Sequence, residues 1–172
     1  MIDVATGWSE RVAVLGRSAL VMEAGCRRIL ARVPFTILEL HPDNGSEFLN
    51  NHLYRFFKDG VPGLQLTRSR PWHKDDNRFV EQKNASLVRA YLGFERLDSV
   101  AHVEVMNELY DRMWLYYNFF QPVLHIQEKR LLMTEGERTR IQRVYDVAQT
   151  PFERVCATGA IPAEKRLQLE EL

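Results

Sequence analysis

The sequence predicts an α/β domain, and three observations carry that reading. Phe35-Thr36-Ile37-Leu38-Glu39-Leu40 is a short run of β-formers, the mark of a buried strand. It runs into Asp43-Asn44-Gly45, a turn in which Asn and Gly both tolerate positive φ. A helix comes next, capped by Ser46, with Leu49, Leu53, Phe56 and Phe57 as its apolar stripe; Gly60 and Pro62-Gly63 stop it before a second short strand, Leu64-Gln65-Leu66-Thr67. Strands joined through a helix are parallel.

Other elements flank this unit on both sides. Ile2 to Leu15 reads as a strand, a Thr6-Gly7 turn and a second strand, Arg11-Val12-Ala13-Val14-Leu15. Ser18 to Arg32 reads as a helix with Leu20, Val21, Ala24, Ile29 and Leu30 among its apolar positions, ended by Pro34. A helix begins near Asn77 and carries Val80, Leu87 and Tyr91 as its apolar stripe. Ser99 to Tyr117 is a long helix in which Val103, Met106, Leu109/Tyr110, Met113 and Tyr117 recur at three- and four-residue steps, and Asn118 to Pro122 closes it. Its stripe suits core packing or, second, a dimer face. After Gln127 the pattern weakens. Lys129 to Arg143 is polar and basic, Tyr145 to Val155 suits a turn and short helix around Thr150-Pro151, and Glu164 to Leu172 suits an exposed helix. The sequence therefore divides into a core over 1–124 and a basic linker and tail over 125–172, the tail being expected to be mobile or to dock on DNA or a partner.

At 172 residues the chain can bury a core of its own. The formal charge is zero, which argues against a broadly basic nucleic-acid binder, but the distribution is uneven. From Arg68 to Arg89 there are six Lys/Arg against three acids, and from Lys129 to Arg143 five against two, while residues 1–67 balance at seven each. Basic patches on a neutral protein can track a phosphate backbone in a salt-sensitive way. The two cysteines, Cys26 and Cys156, have no metal spacing and suit a reducing compartment. No apolar run approaches a membrane span and the start has no signal-peptide pattern, so no membrane partner is expected and the cytoplasm is the expected location.

The chemistry concentrates between His41 and Asn84. Asp43 lies just past the carboxyl end of a strand, where open α/β sheets place their sites. Glu81 lies near a helix start, and Asn77, Glu81, Asn84 and Val88 share one helical face. Two such carboxylates suit a hard cation, since magnesium keeps several waters and needs one or two protein carboxylates per ion. Paired ions ~4 Å apart can activate a water or a 3′-hydroxyl and stabilise the leaving oxygen. Between the two acids, Thr67 to Lys74 is a basic, aromatic-bearing loop. Arg68, Arg70 and Lys74 suit phosphate contacts and Trp72 or His73 suits base stacking, although Trp72 can equally plug the core. Lys83, two residues from Glu81, points to the far side of an ideal helix, so Asn84 is the better DNA contact, with Arg89 a further candidate.

Asp43-Asn44-Gly45-Ser46-Glu47-Phe48, then 66–77 (Leu-Thr-Arg-Ser-Arg-Pro-Trp-His-Lys-Asp-Asp-Asn), then Val80-Glu81-Gln82-Lys83-Asn84 closely resembles the integrase catalytic core of bacterial insertion-sequence transposases, relatives of retroviral integrases. The resemblance takes in 3–10 (Asp-Val-Ala-Thr-Gly-Trp-Ser-Glu) and Asn118-Phe119-Phe120-Gln121-Pro122, and more loosely 145–151, so it spans roughly residues 1 to 155. It implies a ribonuclease H-like fold, a mixed sheet flanked by helices, and a metal triad of Asp, Asp and Glu that uses Mg²⁺ or Mn²⁺. Asp43 matches the second Asp and Glu81 the Glu. Asn44, Arg70, Lys74, Asn77 and Asn84 are the DNA contacts it suggests.

The family's first Asp lies on a strand before the block at 3–10, with which this chain begins. Asp3 marks the second strand of the pattern and reads as shaping the Thr6-Gly7 turn. The expectation is thus a fold lacking its first strand, in an N-terminally shortened transposase. Pro42 also departs from the family's usual Ser or Thr. The implied function is DNA transposition by metal-dependent polynucleotidyl transfer, impaired here. The alternative is a catalytically inactive form that binds DNA or oligomerises. DNA, further copies of the chain and a full-length transposase are the implied partners.

Overall fold

The computed structural model of the chain describes residues 1–42, 45, 50–70, 78–132 and 140–172. Its elements are α1 (Ala19–Arg32), β1 (Glu39–Leu40), α2 (Asn51–Gly60), β2 (Gln65–Leu66), α3 (Arg78–Lys83), a π-helical segment (Asn84–Arg89), α4 (Ala90–Leu92), α5 (Val100–Leu115), a second π-helical segment (Tyr116–Phe120), β3 (Ile126–Leu132), β4 (Arg140–Tyr145), α6 (Pro151–Thr158) and α7 (Ala163–Glu170). β1 and β2 pair in parallel, Glu39 opposite Gln65 and Leu40 opposite Leu66, with α2 between them in sequence. That is the expected crossover, in a shorter ladder. β3 and β4 form an antiparallel hairpin with a bulge between Ile126 and Glu128.

The helices start where short polar side chains replace missing backbone partners. Ser18 accepts from the Val21 amide at 3.4 Å and Ser99 from the His102 amide at 3.2 Å. Thr150 and Glu153 cap α6 reciprocally, with Pro151 in its first turn. α2 is capped by Asn50, whose Oδ1 accepts from the Leu53 amide at 2.9 Å. The cap expected at Ser46 is therefore corrected to Asn50, and Ser46 itself lies outside the described residues.

α5 is the organising helix. Its expected stripe is its packed face: Tyr110 and Met113 are buried with Ala13 and Leu87, and Val103, Met106, Leu109 and Tyr117 pack around them. Trp114 belongs to a second cluster, centred on fully buried Trp8 with Val155, Ile161 and Leu169, and lined by Phe35, Phe119 and Phe152. The rings of Trp114 and Phe119 stand edge-on to Trp8 at 5.7 and 5.6 Å. That cluster corrects the expectation of a mobile tail. Val155 and Leu169 place α6 and α7 in contact with the N-terminal segment, and burying large apolar side chains contributes about 1.5–3 kcal/mol each.

The N-terminal segment is corrected as well. Among the described residues, its ladder is a single antiparallel bridge between Ile2 and Ser9, and Arg11–Leu15 joins no strand. Asparagine side chains pair with its backbone instead. Asn118 Oδ1 accepts from the Ser9 amide at 3.0 Å, and its Nδ2 donates to the Ser9 carbonyl at 3.1 Å. Asn107 treats Ala13 the same way, at 3.0 and 3.1 Å. α1 lies close on this segment: a Cβ on Gly25 would sit 3.0 Å from a methyl of Val14, which would have to give by a few tenths of an ångström.

The hairpin was not visible as strands in the sequence. Its residues through Leu131 and from Arg140 to Arg143 are exposed, so no alternation of buried and polar positions marks them. Its base is fixed. The His125 amide donates to Asp146 Oδ1 at 2.7 Å, and Arg154 of α6 meets Asp146 Oδ2 at 2.6 Å while donating to the Val123 carbonyl at 2.8 Å. Arg154 also holds the Asp146 carboxyl below the usual range. Cys26 and Cys156 are free, half-buried thiols that burial pushes up, the setting of an unreactive cysteine. No helix among the described residues is long and apolar enough to cross a membrane.

Candidate functional site

The candidate site starts at the carboxyl end of β1. There, side chains from the two parallel strands and the residues after them form a chain of hydrogen bonds. The Thr67 hydroxyl donates to Glu39 Oε1 at 2.6 Å, so its oxygen is left to accept from His41 Nδ1–H at 2.8 Å. That fixes the ring tautomer, and His41 Nε2 meets the Ser69 hydroxyl at 3.2 Å. Ser69 is only 2 % exposed and also lies 3.5 Å from the Pro42 carbonyl. The imidazole is thus held at both nitrogens. It ties the exit of β1, at residues 41–42, to the segment leaving β2. Neither ring nitrogen is left to bind a metal.

Glu81 sits in the first turn of α3 and is exposed, with Asn84 one turn further on and exposed too. Lys83 faces elsewhere, as its spacing requires. It is half-buried, and burial, assisted by Arg11, lowers its ammonium below the usual lysine value. The helix changes to π-helical hydrogen bonding over Asn84–Arg89. Single π turns inserted in α-helices are frequent at functional sites. Val88, placed on the Glu81 face by ideal helical spacing, lies inside this π-helical stretch and is half-buried. Arg70 is exposed at the end of the described loop and makes an interaction of its own.

Asp43, Asn44, Lys74 and Asn77 lie outside the described residues, as do Trp72 and His73. The expected approach of Asp43 to Glu81 therefore rests on sequence. Asp3 is described, and its carboxylate is engaged: Oδ2 accepts from the Thr6 amide at 2.9 Å and from the Thr6 hydroxyl. It closes the Thr6-Gly7 turn, in which Gly7 takes φ +81. Among the described residues no three His, Cys, Asp or Glu side chains come together as a metal site. As a donor, the exposed Glu81 carboxylate suits a hard, hydrated cation.

Sequence reasoning missed one acid altogether. Glu10 is fully buried, its Oε1 accepting from the Trp8 indole N–H at 2.9 Å and the Trp114 indole N–H at 2.6 Å. Arg32 lies 3.2 Å from its Oε2 and stacks on Trp114 at 4.9 Å. Burial raises the Glu10 carboxyl above the usual glutamate value, against the pull of the indoles and Arg32. The acid is a structural hub. The clue in sequence was Trp8 two residues before an acid, a weak one.

No family model matches the chain. It is 36% identical over 129 residues to an uncharacterized protein, y4rM, of Sinorhizobium fredii (strain NBRC 101917 / NGR234). The match takes in 75% of this chain but 36% of that protein, so the chain spans about a third of its relative's length. Among solved structures it is similar to the catalytic core domain of BIV integrase, with a TM-score of 0.52 and 18% identity over 92% of this chain and 84% of that one. The chain therefore has an integrase-core α/β fold, and its helices and parallel crossover fit a ribonuclease H-like layout.

Proposed function

We propose that the chain belongs to the catalytic core of an insertion-sequence transposase, acting in DNA transposition by metal-dependent polynucleotidyl transfer. The observation that carries the reading is the pairing of an integrase-core fold with two acids in distinct strategic positions. Asp43 follows the carboxyl end of β1, whose exit His41, Thr67 and Ser69 hold, and Glu81 is exposed in the first turn of α3. On this reading Asp43 and Glu81 hold Mg²⁺ or Mn²⁺, which when bound supplies Lewis-acid activation of a phosphodiester. Asn44, Arg70, Lys74, Asn77 and Asn84 contact DNA around them, and the hydrogen-bonded His41 keeps the turn before Asp43 in place.

A site made of the two assigned carboxylates, Asp43 and Glu81, holds an ion weakly, so the reading assigns that pair little turnover. The second reading, a DNA-binding or oligomerising form that works with further copies or a full-length transposase, is favoured by the engagement of Asp3 in its turn. Incubation of the purified chain with supercoiled plasmid and Mg²⁺ separates the outcomes. DNA binding with slow nicking that disappears on Asp43→Asn or Glu81→Gln is the expected result. Nicking that survives both substitutions, or no affinity for DNA, contradicts the proposal.

A further inference from the structure

We infer that the hairpin β3–β4 is a DNA-binding ribbon that lays the Lys129/Arg143 face along a duplex. The inference rests on the reading of the chain as a DNA-acting protein but uses none of the residues assigned to its metal site. The register puts Lys129 directly opposite Arg143 and Leu131 directly opposite Ile141, so these four side chains share one face. Like charges directly opposite destabilise a ladder. No ion pair among the described residues relieves this one, whereas Arg130, on the other face, is paired with Glu128 at 2.8 Å. The two strands carry Lys129, Arg130, Arg140 and Arg143 against the single acid Glu128, a local excess of three positive charges on a chain whose formal net charge is zero.

The ribbon is also short of packing. Leu131 and Ile141 are 64% and 59% exposed, and a two-stranded hairpin in water is marginal without something to cover it. A polyanion answers both features, since phosphates neutralise the opposed cations while groove walls cover the aliphatic pair. The major groove of B-form DNA, about 12 Å wide, admits a two-stranded ribbon. The Asp146–Arg154 pair and the Val123–Gln149 bridge anchor the base to α6, so a grip at the ribbon is transmitted to the body of the fold.

The test is binding of the full chain to a fluorescent 30-base-pair duplex across a salt series, in EDTA so that metal chemistry does not enter. Lys129→Gln with Arg143→Gln is expected to weaken binding on the order of tenfold near 0.1 M salt. The log–log salt dependence should become shallower by about 2, because each phosphate contact contributes about 0.9. Both side chains are exposed, and removing a like-charge pair leaves thermal stability unchanged or slightly raised. An unchanged affinity and salt slope overturns the inference. So does a chain that self-associates and becomes monomeric on Leu131→Ser with Ile141→Ser, which would make this face an interface between copies. Failure of Mg²⁺-dependent nicking with the ribbon effect intact would instead count against the catalytic reading alone.

Discussion

Replacing Glu10 by alanine is expected to cost about 3–5 kcal/mol, the usual penalty for removing one partner of a buried, hydrogen-bonded charge pair. The change leaves the indole N–H groups of Trp8 and Trp114 without their acceptor and strips Arg32 of its buried counter-charge. It also opens a void beneath Trp8, against which Phe35, Trp114 and Phe119 stand. For a chain of this size the loss corresponds to a fall in Tm of roughly 6–20 °C, since about 1 kcal/mol shifts Tm by 2–4 °C. Glu10→Gln keeps a carbonyl acceptor and is milder, and its cost varies with pH. Burial raises the Glu10 carboxyl, so its contribution to stability is fully present below the ordinary glutamate value of 4.5 and is lost as pH rises through the raised one. Wild type therefore loses stability relative to Glu10→Gln as pH rises from acid through the raised value. Urea unfolding across that range reads both effects.

Asn118→Ala is the second large effect, at about 2–4 kcal/mol. Asn118 is fully buried, and its amide satisfies both backbone groups of Ser9, itself 3% exposed. Truncation strands a buried N–H and a buried C=O, each costing roughly 1–3 kcal/mol when left without a partner. Asn118→Asp does not rescue the loss, because a carboxylate presents an acceptor to the Ser9 carbonyl where a donor is required. Asn107→Ala removes the equivalent pair from Ala13 in a site only partly buried, where water can substitute, and costs less. Thermal melts of the three variants in parallel are expected to rank Asn118→Ala and Asn118→Asp well below Asn107→Ala. The region loosened first should be the segment from Ser9 to Ala13, read by hydrogen exchange.

The helices were legible because their signals are local. Ser18, Ser99 and Thr150 stand where caps belong, and the α5 stripe from Val103 to Tyr117 repeats at helical spacing. The parallel pair β1–β2 was legible for the same reason: β-formers on either side of a helix leave few other solutions. Arg11–Leu15 was misread as a strand because Val12 and Val14 have β-propensity, while the Ala13 backbone is paired by a side chain on α5, Asn107. Propensity cannot tell a ladder from an asparagine that imitates one. The hairpin escaped because exposure on both faces erases the alternation that marks a strand. Glu10 escaped because its burial depends on Trp114, 104 residues away. At the candidate site, the position of Glu81 in a first helical turn was readable, whereas the role of His41, held by Thr67 and Ser69, needed the pairing of β1 with β2 to bring distant residues together.

The assignment of Asp43 and Glu81 to one divalent ion is tested most directly by titrating the purified chain with Mn²⁺ and following the free ion by electron paramagnetic resonance. One weak site that disappears in Asp43→Asn and equally in Glu81→Gln, with both variants folded by circular dichroism, is the expected result. Binding left intact by both substitutions would contradict the account.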